Sequence, residues 1–337
     1  MSEQGGGGRV SSNDVAKLAG VSRSAVSRAF TPGTYVSEET RAKVLRAADL
    51  LGYRPNMMAR SLITNRTHIV GVVTTHLDNP FYATLLQRLI DEIQKIGMAT
   101  LTFIADETSN DERISQLLSY RVDALVLTNT SLSSKMSARC AQGETPVVAI
   151  NRYLENDTIT SVTCDNAACA AEVADLLLKL KRKRIAFMAG EPDTSSSRDR
   201  ERGFRRRLSE RGVALHASAI GNYEHESGVR AARELLSRPK RPDAIFCAND
   251  LMALATIDVA RKEFGLDVPR DLAVVGFDNS DAASWPTYRL TSVDQNMAKM
   301  VGLAVDEIAA AVAGTHSPGR HVLVRGVLVE RESTGTS

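Results

Sequence analysis

VSSNDVAKLAGVSRSAVSRAF, residues 10–30, carries two short helical patterns separated by a single glycine. Ser12 can cap a helix through Val15, Ala16, Leu18 and Ala19, and Gly20 breaks it. Ser22 can cap a second helix, Arg23 to Phe30, whose inward positions are Val26, Ala29 and Phe30. Small Ala16 permits close approach and Gly20 a sharp turn, with Val21 and Val26 beneath it. Arg23, Ser24, Ser27 and Arg28 then point outward, on a face that suits a DNA major groove. Ser37 with Glu38 and Glu39 starts a third helix, with Val44, Leu45, Ala48 and Leu51 inward and an end near Gly52.

Charge agrees with that division. The chain of 337 residues has a formal charge of +2, yet residues 1–66 hold ten Lys/Arg against five Asp/Glu, or +5, leaving −3 for the rest. A basic head attracts phosphate through counterion release. Hydrophobic residues at 43% and charged residues at 24% are ordinary for globular proteins. No apolar run approaches the roughly 20 residues of a membrane span. The start MSEQGGGGRV has no secretory pattern, so a cytoplasmic protein is expected. The cysteines at 140, 164, 169 and 247 show neither metal-type spacing nor a crowded disulfide pattern and read as reduced thiols.

From His68 onward, apolar runs alternate with helical stretches, the signature of parallel sheets built from βαβ units. HIVGVVT (68–74), MATLTFI (98–104), DALVL (123–127), PVVAI (146–150), RIAFMA (184–189), DAIFC (243–247) and LAVVGF (272–277) read as buried strands. Helices are expected at 80–96, 166–180 and 249–264. Polar residues follow the strands without a core explanation. Asn79 and Phe81 follow the first, where Asn79 could instead cap a helix and Phe81 pack in the core. Thr128 and Asn129 close DALVL, and Asn151 and Arg152 close PVVAI. Asp165 and Asp250 read as helix caps. The basic runs at 179–184 and 198–207 read as solvated helix ends and faces.

The first run, followed by VSEETRAKVLRAADLLGYRPNMMARSL (36–62), resembles the head and hinge of the lactose-repressor family, and the resemblance continues to about Glu332. It implies an all-α helix-turn-helix head on an α/β body of two parallel-sheet subdomains of periplasmic-binding-protein type. The expected layout is a tail at 1–9, a DNA-binding domain at 10–54, a hinge helix at 55–67 and a body at 68–332, with a tail at 333–337. Within the body the first subdomain takes about 68–163 and 292–319, and the second about 164–290 and 320–332, with crossings near 163, 291 and 320.

The family likeness implies base reading by Arg23, Ser24 and Arg28, and phosphate contacts by Ser22 and Ser27. Asn56, Ala59 and Leu62 match the hinge helix, with Leu62 as a minor-groove wedge. Thr31 stands where many relatives carry an Asn. Effector contacts are implied at Asn79, Phe81, Thr128, Asn151, Arg152, Arg198, Tyr223, Asn249 and Asp278, with Arg198 the foremost. The implied partners are double-stranded operator DNA, a second copy of the chain and a small-molecule effector, a sugar or sugar acid. No cofactor, metal or membrane is expected. The ending VERESTGTS carries no leucine heptad, which favours a homodimer.

Two rival readings are an enzyme and an exported sugar-binding protein. The first would need a G-x-G-x-x-G turn, a phosphate loop, a nucleophile elbow or a zinc-spaced His pair, none of which occurs. The second would need an export signal and has no use for a basic head.

Overall fold

The computed structural model describes residues 10–31, 33–55, 61, 66–106, 109–128, 133–143, 145–154 and 158–335. They form two compact units divided after Thr67.

The first unit holds α1 (Ser12–Ala19), α2 (Arg23–Ala29) and α3 (Glu38–Leu51). Val15, Val26, Val44, Ala47 and Ala48 make its small core. The cap of α1 is Ser11, one residue before the expected Ser12, and the Asp14 carboxylate accepts from its N–H and Oγ at 2.9 and 2.7 Å. Those bonds hold the Asp14 carboxyl below the usual carboxylate range. Gly20 closes the helix with φ +66°, a conformation that a Cβ would strain. Leu18 and Leu45, expected inside, are exposed; Ala47 takes the inward place on α3.

The second unit contains β1 (Ile69–Thr74), α4 (Pro80–Lys95), β2 (Ala99–Ile104), α5 (Asn110–Ser119), β3 (Ala124–Thr128), α6 (Ser134–Gln142), β4 (Val147–Ile150) and β5 (Thr160–Cys164). Then come α7 (Asn166–Lys179), β6 (Ile185–Ala189), α8 (Ser195–Glu210), β7 (Ala217–Ile220), α9 (His225–Leu236), β8 (Ala244–Cys247), α10 (Asp250–Phe264) and β9 (Ala273–Phe277). The chain closes with β10 (Thr291–Asp294), α11 (Met297–Ala313), β11 (His321–Val324) and β12 (Val327–Val329).

Among the described residues two six-stranded sheets result, in the orders β11-β5-β4-β3-β1-β2 and β12-β10-β9-β8-β6-β7. The first is parallel throughout, and in the second only β12 runs antiparallel, against β10. In each sheet the chain reverses its direction of growth once, between β1 and β3 and between β6 and β8, and such switch points open a crevice at the strands' carboxyl ends.

The sheet assignments correct two boundaries. β10, expected from residue 292 in the first subdomain, pairs with β9 in the second sheet, so that crossing falls after Asp294. β11, expected in the second subdomain, pairs with β5 in the first, which moves the last crossing to Arg325 and Gly326. A strand stays with its sheet until its ladder ends, and polarity alone does not mark that point. Ser333 and Thr334, expected in a tail, are buried; the Ser333 hydroxyl accepts from the Thr291 N–H at 2.8 Å and donates to the Val274 carbonyl at 2.6 Å.

Candidate functional site

On the head, helical periodicity separates two faces of α2. Ala25, Val26 and Ala29 are buried while Arg23, Ser24, Ser27 and Arg28 are exposed. Ser22 caps the helix by accepting from the Ala25 N–H at 3.2 Å, and its Oγ lies 2.8 Å from that of Ser24. From α3, the Arg41 guanidinium donates to the Ala29 and Thr34 carbonyls, which fixes the end of α2. Thr31 donates to the Ser27 carbonyl at 2.8 Å, so its hydroxyl serves the helix end. A short helix presenting two guanidiniums and three hydroxyls on a rigid support can pair with phosphate oxygens and base edges together. Asn56, Ala59 and Leu62 of the expected hinge, and Asn129 of the body, lie outside the described residues.

In the second unit the strand ends enclose cavities. One of about 470 Å³ is lined by Thr75, His76, Arg152 and Tyr153 from the first sheet's loops and by Glu191, Ser195 and Asn222 from the second's. A neighbouring one of about 320 Å³ shares His76, Glu191 and Asn222 and adds Asn79, Tyr82 and Tyr223. A third, about 480 Å³, lies by Phe81, Asp250, Asp278 and Trp285. Glu191 ties the two sides together: its carboxylate meets Arg152 Nη2 at 3.1 Å and lies 3.9 Å from His76 Nε2. The Tyr153 N–H donates to Ser195 Oγ at 3.1 Å, and its hydroxyl donates to Asp199 at 3.4 Å.

The floor is a buried polar cluster. Arg200, on the inward face of α8, donates from Nε to Asn166 Oδ1 at 2.8 Å and also to the Ala248 carbonyl. Its guanidinium stacks 3.7 Å from the Phe277 ring centre. Burial pushes the Asp278 carboxyl up to about 8, against the pull of Arg200, and Gln295 donates to it at 2.7 Å. Asp250 is likewise pushed up to about 6 by burial, opposed by bonds from Ser292 and Ser280. Gly276 leaves room for that carboxylate, which any Cβ there would meet. Among the described residues, Asn151 Oδ1 and Gln295 Oε1 are buried acceptors with no hydrogen-bond partner. Such atoms cost roughly 1–3 kcal/mol each when left unsatisfied. A ligand carrying hydroxyl or amide donors would relieve that cost.

The profile of bacterial regulatory proteins of the lacI family matches residues 13–56, the three-helix head. The profile of periplasmic binding protein-like domains matches residues 174–334. Catabolite control protein A of Priestia megaterium is 33% identical over 290 residues, covering 84% of this chain and 87% of that protein. The chain belongs to the lacI family. Another relative, the ribose operon repressor of Escherichia coli K12, is 31% identical over 325 residues, covering 95% of this chain and 98% of its own. Among solved lacI-family structures, the Lac repressor dimer bound to operator and the anti-inducer ONPF is similar with a TM-score of 0.86 at 26% identity, covering 97% of this chain and 99% of that one.

The effector residues expected of a lacI-family chain divide into three groups. Arg152, Tyr223, Asn79, Phe81 and Asp278 reach the cavities. Asn79 also caps α4, accepting from the Phe81 N–H at 3.0 Å, and Phe81 packs edge-on against Tyr82. Thr128, Asn151 and Asn249 are buried at strand ends. Both ends of the Asn249 amide are engaged: Oδ1 caps α10 and Nδ2 donates to the Tyr223 carbonyl at 3.0 Å. That corrects the reading of Asp250, which sits in the buried cluster; Asp165 does cap α7.

Arg198 stands apart, exposed on α8 with Nη1 donating to the Asp193 carbonyl at 2.9 Å. Arg200, which sequence reasoning passed over, occupies the inward place. The signal was available: Ser196, Arg200, Phe204 and Leu208 repeat every four residues and are all buried. Gln295 was missed as well.

Proposed function

We propose that the chain is a transcriptional regulator, acting mainly as a repressor, that binds a pseudo-palindromic operator as a homodimer and changes its grip when an effector enters the cleft. The observation that carries this reading is the α2 face: Arg23, Ser24, Ser27 and Arg28 stand exposed on a helix whose other face is core. A twofold pair of such heads reads two half-sites. The solved Lac repressor dimer holds operator and an anti-inducer together, which supports both parts of the proposal.

The effector we propose is a sugar or sugar derivative. Its hydroxyls would donate to Asn151 Oδ1 and Gln295 Oε1, and the Arg200 and Arg152 guanidiniums would position its oxygens. We place the protein in the cytoplasm, where its DNA lies; among the described residues no helix is long and apolar enough to cross a membrane. We assign it no catalytic role and no cofactor.

Selection of bound duplexes from random DNA tests the proposal, followed by titration of the winner with sugars, sugar acids and sugar phosphates. Enrichment of a palindrome whose affinity shifts with one compound is the expected outcome. Replacing Arg23 with Ala should then cost about 1–3 kcal/mol and flatten the preference at one position per half-site. Failure to enrich any palindrome, with and without the panel, would overturn the assignment of the head.

A further inference from the structure

Cys164 and Cys169 are five residues apart, yet the turn from β5 into α7 brings their sulfurs to 3.7 Å. All four cysteines are buried free thiols, and this pair is one that sequence spacing did not announce. Its position is unusual in the fold. Cys164 ends β5 on the first crossing, and Cys169 lies in the opening turns of α7, just beyond it. A Cβ on Gly326, on the last crossing, would lie 2.9 Å from Cys169 Sγ, 3.1 Å from Cys164 Sγ and 2.7 Å from the Asp294 carbonyl. Asp294 ends β10, on the remaining crossing. The three chain segments that join the two lobes therefore meet at these two sulfurs.

From this geometry we propose that Cys164 and Cys169 form a redox modification site, a dithiol that hydrogen peroxide converts to a disulfide and that locks the crossings. Cys169 is the attacking sulfur. The shared Cys164 S–H and then the Gly326 N–H stabilise its thiolate against burial and the nearby Glu172 and Asp165 carboxylates, and the α7 N-terminus adds positive potential. The thiolate attacks the O–O bond of peroxide, giving a sulfenic acid and hydroxide, and the proton that Cys169 released turns the hydroxide into one water. Cys164 sulfur then attacks the sulfenic sulfur; the S–S bond forms and a second water leaves with the Cys164 proton. Two thiols lose two electrons, and one peroxide becomes two waters. Both sulfurs are buried, so a water-sized oxidant reaches them only when the crossings part. Oxidation thus reads the opening of the lobes and then arrests it.

The test uses the full chain under native conditions. After peroxide treatment and quenching with iodoacetamide under denaturing conditions, mass spectrometry should show loss of two hydrogens and a bridge mapped to residues 164 and 169, reversed by dithiothreitol. Cys140 and Cys247 should be alkylated as free thiols. Hydrogen exchange in peptides covering residues 163–170, 291–297 and 323–328 should slow by about 5-fold or more on oxidation. Cys164→Ala, which cannot close the bridge, should lose both responses. Four alkylated cysteines after peroxide, or a sulfinic acid on Cys169 in place of the bridge, would overturn the site. A bridge that leaves exchange unchanged would overturn its action on the crossings. Neither readout involves DNA or an effector, so this result and that of the operator selection fail independently.

Discussion

Asp278 gives the protein a pH dependence of definite sign. Its carboxyl is raised from an ordinary 3.8 to about 8, chiefly by burial, so the folded chain holds a proton that the unfolded chain releases. The stability associated with that proton is full below about pH 4 and is lost as pH rises to about 8. The wild type should therefore lose melting temperature relative to Asp278→Asn across that window, with parallel curves above it. Each pH step within the window removes at most about 1.4 kcal/mol. A difference that stays constant with pH would contradict the protonated assignment. Arg200 makes a second residue-scale claim. Arg200→Lys keeps the charge but loses the planar stack on Phe277 and the fork to Asn166 and the Ala248 carbonyl. Affinity for the compound that shifts operator binding should fall about 10-fold or more, about 1.4 kcal/mol, while Arg198→Lys should change it little. The two arginines also mark how far residue-level reading reaches. The exposed face of α2 followed directly from helical spacing, because buried and exposed positions on that helix differ in polarity. On α8 both candidate positions are arginine, so composition is silent and only the position of the helical face decides.

Among elements, α7 and α8 pack backbone to backbone. A Cβ on Gly203 would meet the backbone oxygen and carbon of Ala167, atoms that cannot rotate away. Gly203→Ala should destabilise by about 1–3 kcal/mol, seen as a lower urea midpoint. Gly302, inside α11, has nothing within 4 Å of an added Cβ, so Gly302→Ala should stabilise by up to about 1 kcal/mol through helix propensity. Opposite signs for the same substitution separate packing from propensity; equal signs would refute the contact. The seven strands read from apolar runs are all present, whereas β5, β7, β10, β11 and β12 went unread. β5 is TSVTC and fully buried, yet three of its five residues carry hydroxyls, which mask a core strand. β7, β11 and β12 are edge strands with exposed faces, where an apolar run is not required.

Across the second unit as a whole, the two lobes are clasped by their own side chains. The clasp consists of Arg152 with Glu191 and of Tyr153 with Ser195 and Asp199. Of its members only Arg152 stands out in sequence, and its pairing does not, because each member pairs with a residue more than thirty positions away and only the fold juxtaposes them. The Arg152 side chain is 11% exposed and that of Glu191 25%, so solvent screens this pair less than a surface one. Glu191→Gln removes the charge but keeps the shape, leaving Arg152 without its carboxylate. A change of about 1 kcal/mol would raise the open-to-closed ratio roughly fivefold. Small-angle scattering of the ligand-free chain should then show a larger radius of gyration for Glu191→Gln than for the wild type, and a saturating effector should erase the difference. A ligand that closes the cleft, as proposed, would bind the closed form better, and its differential affinity for the two forms would replace the lost ion pair. Identical scattering from both chains would mean that the crossings alone, and not the clasp, set the angle between the lobes.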